Sequence, residues 1–253
     1  MELCKVHLSS ASKHKSELAK IMAACDSFSP EHAFIAGGSL TSAFTGRAIN
    51  DVDFYFQSKA DFQMAIQDAY DSGLWCVAAT DRAVTFVSGP LVIQLMCFDF
   101  FDSPAAIFDA FDFTACMAAF DIDNQQFAFH EDFLKHAAQR YLKFHSGTRY
   151  PFGSLLRVLK YQSRGYTLGK SDLLRIALCC HKVPLTSWAN LAIAIGGQYG
   201  EKVNLDESIP FSIDAAIQVF ENTDIMIPTS PEEMPGSAEE LLLKIGMPFT
   251  QQP

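Results

Sequence analysis

Residues 37–53 read GGSLTSAFTGRAINDVD, preceded by Phe34-Ile35-Ala36 and followed by Phe54-Tyr55-Phe56. The pattern predicts a strand, a glycine turn, a short helix and a second strand. Side chains two apart on a strand share a face, so Asp51 and Asp53 project together while Val52 and Phe54 turn into the core. Two carboxylates at that spacing make a ligand pair for magnesium. Gly37 and Gly38 let backbone approach closely, and the start of the following helix, at Ser39, offers N–H groups to a phosphate. A metal pair beside a phosphate cradle is the expected centre of the molecule.

Outward from this stretch, strands are expected at Ala33–Ala36, Asn50–Phe56, Ala83–Val87 and Leu91–Phe98, the last two joined by the Ser88-Gly89-Pro90 turn. Helices are expected from about Ser10 to Cys25, over Leu40–Phe44, and over Ser58–Tyr70 with Ser58 as N-cap. After Pro104 the Phe- and Ala-rich run to Asp121 reads as one or two short helices, followed by a hairpin over Ile122–Phe129. Beyond Glu131 the periodicity is helical, with segments at 131–141, 151–164, 171–180, 187–199, 213–221 and 237–245. The last opens on a capping box from Ser237 to Glu240. The expected fold is α+β: a mixed-sheet head over residues 1–130, then an all-helical neck and body over 131–253 ending in a Pro-rich strap packed along the body.

The chain has 253 residues, a formal net charge of -10 and 49% hydrophobic residues, an ordinary globular composition that argues against a general nucleic-acid coat protein. The average hides an asymmetry. Between Lys135 and Lys182 stand ten Lys or Arg and a single acid, Asp172. The acidic head and basic middle read as complementary parts of one site. No apolar run reaches membrane-spanning length and the N-terminus has no signal core, so a cytoplasmic protein without membrane partners is expected. The seven cysteines show no zinc-ligand spacing and read as reduced thiols.

Three segments carry a resemblance. The GG-(x)7-GR-(x)3-DxD pattern is similar to the active-site signature of the DNA polymerase β nucleotidyltransferase superfamily. The whole stretch GGSLTSAFTGRAINDVDFYF resembles the head motif of bacterial poly(A) polymerases and CCA-adding enzymes. FDFTACMAAFD (Phe111–Asp121) and PFGSLLRVLKYQSRGYTL (Pro151–Leu168) resemble later segments of that family, in family order. The family's Arg-Asp dipeptide is Thr41-Ser42 here, and the arginines before Asp112 are Ala110-Phe111.

The resemblance implies a nucleotidyltransferase moving a nucleoside monophosphate from ATP or CTP to an acceptor hydroxyl, an RNA 3′ end above all, with two Mg2+ ions. Asp51 and Asp53 are then the catalytic and metal-binding residues. Gly37, Gly38, Ser39, Arg47, Asp112, Thr114, Arg157 and Lys160 are the candidate nucleotide contacts. Polymerase β relatives often add a third carboxylate from a neighbouring strand; the position for it here is Gln94. Each contact has a plainer reading. Asp112 or Thr114 would cap a helix, Arg157 and Lys160 would line a solvated helix face, and among Phe54, Tyr55 and Tyr161 any stacking on a base competes with simple core packing. Two alternatives stay open: transfer to a protein or small molecule, and a catalytically silent nucleotide-binding regulatory module.

Overall fold

The computed structural model describes residues 3–7, 12–25, 28–196, 201–228 and 233–249. Its centre is one eight-stranded sheet in the order β1-β8-β7-β2-β3-β6-β5-β4. In chain order these are β1 (Leu3–His7), β2 (Ala33–Ala36), β3 (Asp51–Phe56), β4 (Trp75–Ala79), β5 (Ala83–Ser88), β6 (Leu91–Met96), β7 (Ala118–Asp121) and β8 (Gln126–His130). Every pairing is antiparallel except β3 with β6. The chain crosses from β3 to β6 through the helix α3 (Lys59–Asp71), the kind of crossover that parallel neighbours need.

One face of the sheet is covered by α1 (Ser12–Cys25), α2 (Gly38–Phe44), α3, α5 (Phe133–Gln139) and α10 (Ala238–Lys244), packed over Ile35, Val52, Phe54, Phe56, Ile93, Leu95 and Phe127. The other face carries Phe34, Ala36, Tyr55 and Ala119 and is only partly covered, by the short α4 (Pro104–Asp109). Alternation along β3 therefore puts Val52, Phe54 and Phe56 in the thick core and Asp51, Asp53 and Tyr55 on the open side. Serines cap the helices where the sequence signals them. Ser58 Oγ accepts the N–H of Asp61, and Ser237 Oγ accepts that of Glu240.

The body is built on α6 (Pro151–Ser163), α7 (Lys170–His181), α8 (Trp188–Ile195) and α9 (Ile213–Asn222). A small core of Phe113, Leu142, Phe144, Val158, Tyr161, Tyr166 and Ile176 joins it to the head. A second core, Trp188, Leu191 and Ala216, holds α8 to α9.

Several elements differ from the expectation. Ala118–Asp121 is a strand rather than the end of a helix, because its small and aromatic residues pair between β2 and β8 in the sheet interior. β1 and β4 are sheet-edge strands that the pattern did not signal. Beyond residue 131 the chain is mainly helical but adds two short ladders, β9 (Tyr141–Leu142) with β10 (Thr167–Leu168) and β11 (Glu201–Val203) with β12 (Met226–Pro228). The strap does not follow the body: Gln63 of α3 donates to the carbonyls of Met247 and Pro248, and Tyr70 to that of Pro235. Leu241 and Leu242 are buried in the main core, which draws α10 onto the head. The expected helix ends at 10–11 and 197–199 lie outside the described residues.

Candidate active site

The carboxylates of β3 and the glycine turn converge because β2 and β3 pair directly, with Ala36 opposite Asp53. Gly37 leaves β2 at φ 91°, ψ -135°, a conformation open to glycine, and its N–H is held by the Ala118 carbonyl at 3.1 Å. A Cβ on Gly37 would stand 3.7 Å from Asp53 Oδ2 and 3.7 Å from the Phe111 ring. The turn thus lies directly against the carboxylate. Gly38 begins α2 with nothing within 4 Å of a Cβ position, and the opening N–H groups of a helix have no partners within it.

Among the described residues, two buried polar atoms here lack hydrogen-bond partners: Asp53 Oδ1 and Ser39 Oγ. Burial pushes the Asp53 carboxyl up to about 7, the neighbouring Asp51 adds to the rise, and the Lys160 ammonium pulls the other way. A buried carboxylate short of partners, with a second acid beside it, fits a divalent cation, which would satisfy the orphan oxygen and reverse that rise. Among the described residues no group of three or more His, Cys, Asp or Glu is gathered for a metal. The donor set is therefore a carboxylate pair, which suits magnesium when substrate phosphates complete its shell.

The open face continues sideways in a row. Gln94 of β6 is in register with Asp53, and Thr85 of β5 with Gln94. The neighbouring-strand position is thus a neutral amide. Tyr55 follows Asp53 on the same face, its hydroxyl held protonated well above the ordinary range by burial and by Asp53. Tyr55 and Phe111, with ring centroids 5.9 Å apart, wall the site on the side of α4. Phe111 opens a family-like segment where the family has an arginine; its place against Gly37 had no sequence signal. Phe54 faces the opposite core, and Tyr161 is buried with its hydroxyl 2.8 Å from Cys116 Sγ, so neither offers a stacking face.

The remaining candidates divide. Arg157 Nε donates to Asp112 Oδ2 at 2.6 Å, an ion pair bridging the head to α6. Lys160, one turn on, is exposed and acts on Asp53 electrostatically. Arg47 lies past the far end of α2, donating to the Arg164 carbonyl and lying over the Tyr166 ring at 6.0 Å. Together with Thr41, Ser42, Tyr161 and Arg164 it lines a small cleft between head and body. Thr114 is buried with Oγ1 2.6 Å from His136 Nδ1, turned away from the carboxylates. Thr41, in place of a family arginine, gives its hydroxyl to the carbonyls of Gly37 and Ala115, tying α2 to the 3-10 turn Thr114–Cys116.

Comparison with solved structures agrees with this architecture. A CCA-adding enzyme in complex with ATP superposes with a TM-score of 0.52 at 14% identity, over 77% of this chain and 51% of that one, a likeness of fold alone. The Thermotoga maritima CCA-adding enzyme complexed with tRNA_CCA gives 0.48 at 13% identity, over 77% and 50%. Among curated proteins, Gabija anti-defense 2 of Bacillus phage SPbetaL7 is 40% identical over 192 residues, 76% of this chain and 48% of that protein. The chain thus spans about half the length of that relative. No helix among the described residues is long and apolar enough to cross a membrane. Residues 9–140 match the family described as Gabija anti-defense 2 family protein, and with the match to the phage relative this makes the chain a member of the Gabija anti-defense 2 family.

Proposed function

We propose that the protein is a metal-dependent nucleotidyltransferase: an acceptor hydroxyl attacks the α-phosphorus of an NTP, the nucleoside monophosphate is transferred, and pyrophosphate leaves. The observation that carries this reading is the partnerless Asp53 Oδ1 set beside Asp51 and against Gly37. Asp51 and Asp53 would hold Mg2+, which supplies charge neutralisation at the reacting phosphate and activation of the acceptor hydroxyl. Gly37, Gly38 and Ser39 leave room for the phosphates. Lys160 adds an exposed positive charge that acts on Asp53. Arg157 keeps α6, and with it Lys160, fixed to the head through Asp112. Phe111, half-buried and backed by the buried Tyr55, offers aromatic surface beside the carboxylates for the nucleoside.

An RNA 3′ end is one acceptor consistent with the family resemblance. Membership of the Gabija anti-defense 2 family favours a second, a hydroxyl on a component of the Gabija defence system. The outer face of α6 and α7 argues against the first: it presents leucines rather than the aromatic platforms on which single-stranded RNA stacks. Incubation with each labelled NTP and Mg2+, against total RNA and against purified Gabija components, separates the two by where label is incorporated. The double variant Asp51→Ala, Asp53→Ala is expected to lose incorporation entirely while keeping its fold. Transfer by that variant at the wild-type rate overturns the assignment. Nucleotide binding with no transfer to any acceptor marks a silent regulatory module.

A further inference from the structure

The body carries two apolar surfaces that nothing among the described residues covers. On α6, Leu156 and Leu159 share the outer face, and on α7 so do Leu174 and Leu178; Leu159, Leu174 and Leu178 are 65%, 64% and 64% exposed. Helical spacing sets cations beside them. Lys160 is one turn from Leu156, Arg175 is one turn before Leu178, and Lys182 is one turn after it. On α9, Ile213, Ile217 and Phe220 recur at i, i+4 and i+7 and are 52%, 50% and 43% exposed. Here the flanking charges are acids, Asp214 and Glu221, on the side away from the buried Ala216. From Asn204 to Asp224 the chain has five acids and no lysine or arginine, the converse of Lys135–Lys182.

We propose that these surfaces are the two halves of a self-association interface, the α9 stripe of one copy seated on the α6/α7 leucine face of a second copy. Both the apolar rows and the charges that flank them are complementary: isoleucine and phenylalanine edged by carboxylates against leucine edged by ammonium and guanidinium groups. Both surfaces lie on the body, so a two-fold axis allows each copy to give its α9 and receive its partner's, closing a dimer. Aliphatic side chains at the centre of the basic face favour this occupant over nucleic acid, which binds through phosphate contacts and aromatic stacking.

Sedimentation equilibrium of the full chain over a wide concentration range tests the proposal. Wild type is expected to dimerise, and Leu159→Glu and Ile217→Lys, each at an exposed position, to weaken the dimer at least about tenfold. An equimolar mixture of the two variants should recover wild-type association, because glutamate then faces lysine at one contact and the native pair remains at the other. Leu174→Glu with Phe220→Lys repeats the test should either first variant lose its circular dichroism spectrum. A monomer at every concentration overturns the proposal, whether the face then takes up RNA in a homopolymer binding assay or stays bare. A dimer indifferent to Ile217→Lys overturns the α9 pairing, and mass growing beyond two copies overturns the two-fold closure.

Discussion

Asp53 sits where a negative charge is hard to hold without a cation. Its carboxyl lies at about 7, against 3.8 for a free aspartate, because burial and Asp51 both oppose ionisation. The folded state therefore binds a proton more tightly than the unfolded one. Without metal, the resulting stabilisation is full below about pH 4 and is lost as pH rises toward 7, on the order of 4 kcal/mol in all. Thermal melts in a chelator should show Tm falling across that window from this group. Asp53→Asn should flatten the fall, and Mg2+ at neutral pH should raise Tm for wild type but not for the variant. A wild-type melt indifferent to Mg2+ would argue against a cation at this carboxylate. The pairing of Asp51 with Asp53 was legible from their spacing alone. The orphan oxygen and the Phe111 wall were not, since they depend on which strand lies beside β3 and on how α4 closes over it.

Among elements, α2 shows most sharply how local geometry serves the site. Gly37 and Gly38 are adjacent, yet their constraints differ. At Gly37 the methyl of an alanine would find ordinary contact distances, but the backbone sits at φ 91°. Gly37→Ala should therefore cost about 1–3 kcal/mol, read from the urea midpoint. Gly38→Ala, inside the helix with open space around it, should gain about 0.4–1 kcal/mol by restricting the unfolded chain. The glycine turn, β3 and the helix α3 could be read from composition because each stands on a local signal: a GG pair, strict alternation, an N-capping serine. Ala118–Asp121 could not. Its alanines suit a helix intrinsically, and pairing on both sides holds the segment extended. The edge strand β4 was missed for a related reason: Trp75 at its start is exposed, so no apolar alternation announces it. Arg47 is a third case. It follows the glycine of the motif in sequence, but only the fold shows it past the end of α2, bonded to the Arg164 carbonyl in a cleft that Gly38 also lines.

At the scale of the molecule, head and body meet at several joints around the open face. Arg82 lies 4.5 Å from the centroid of the Tyr150 ring and donates to the Ile193 carbonyl at 3.0 Å. Arg149 pairs with Asp99 nearby, Arg157 with Asp112, and Arg47 reaches Arg164. Arg82→Ala is expected to destabilise the protein by about 1–2 kcal/mol through the lost stacking and hydrogen bond. Hydrogen exchange should then quicken in α6 and α8 ahead of the head sheet; uniform acceleration throughout would show that the joint does not act locally. The basic cluster was visible in the sequence as a charge count, but its division into the ion-paired Arg149 and Arg157, an Arg164 lying over the Tyr161 ring and an exposed Lys160 required the fold. The strap has a consequence in time as well as in space. Gln63 is bonded to residues 184 and 185 positions later, and α10 completes the core beneath α3. During synthesis the sheet stays incompletely covered until α10, far along the chain from α3, has left the ribosome. Closure is then a late, high-contact-order event, and a product released early exposes the apolar flank of α3 to chaperones and proteases.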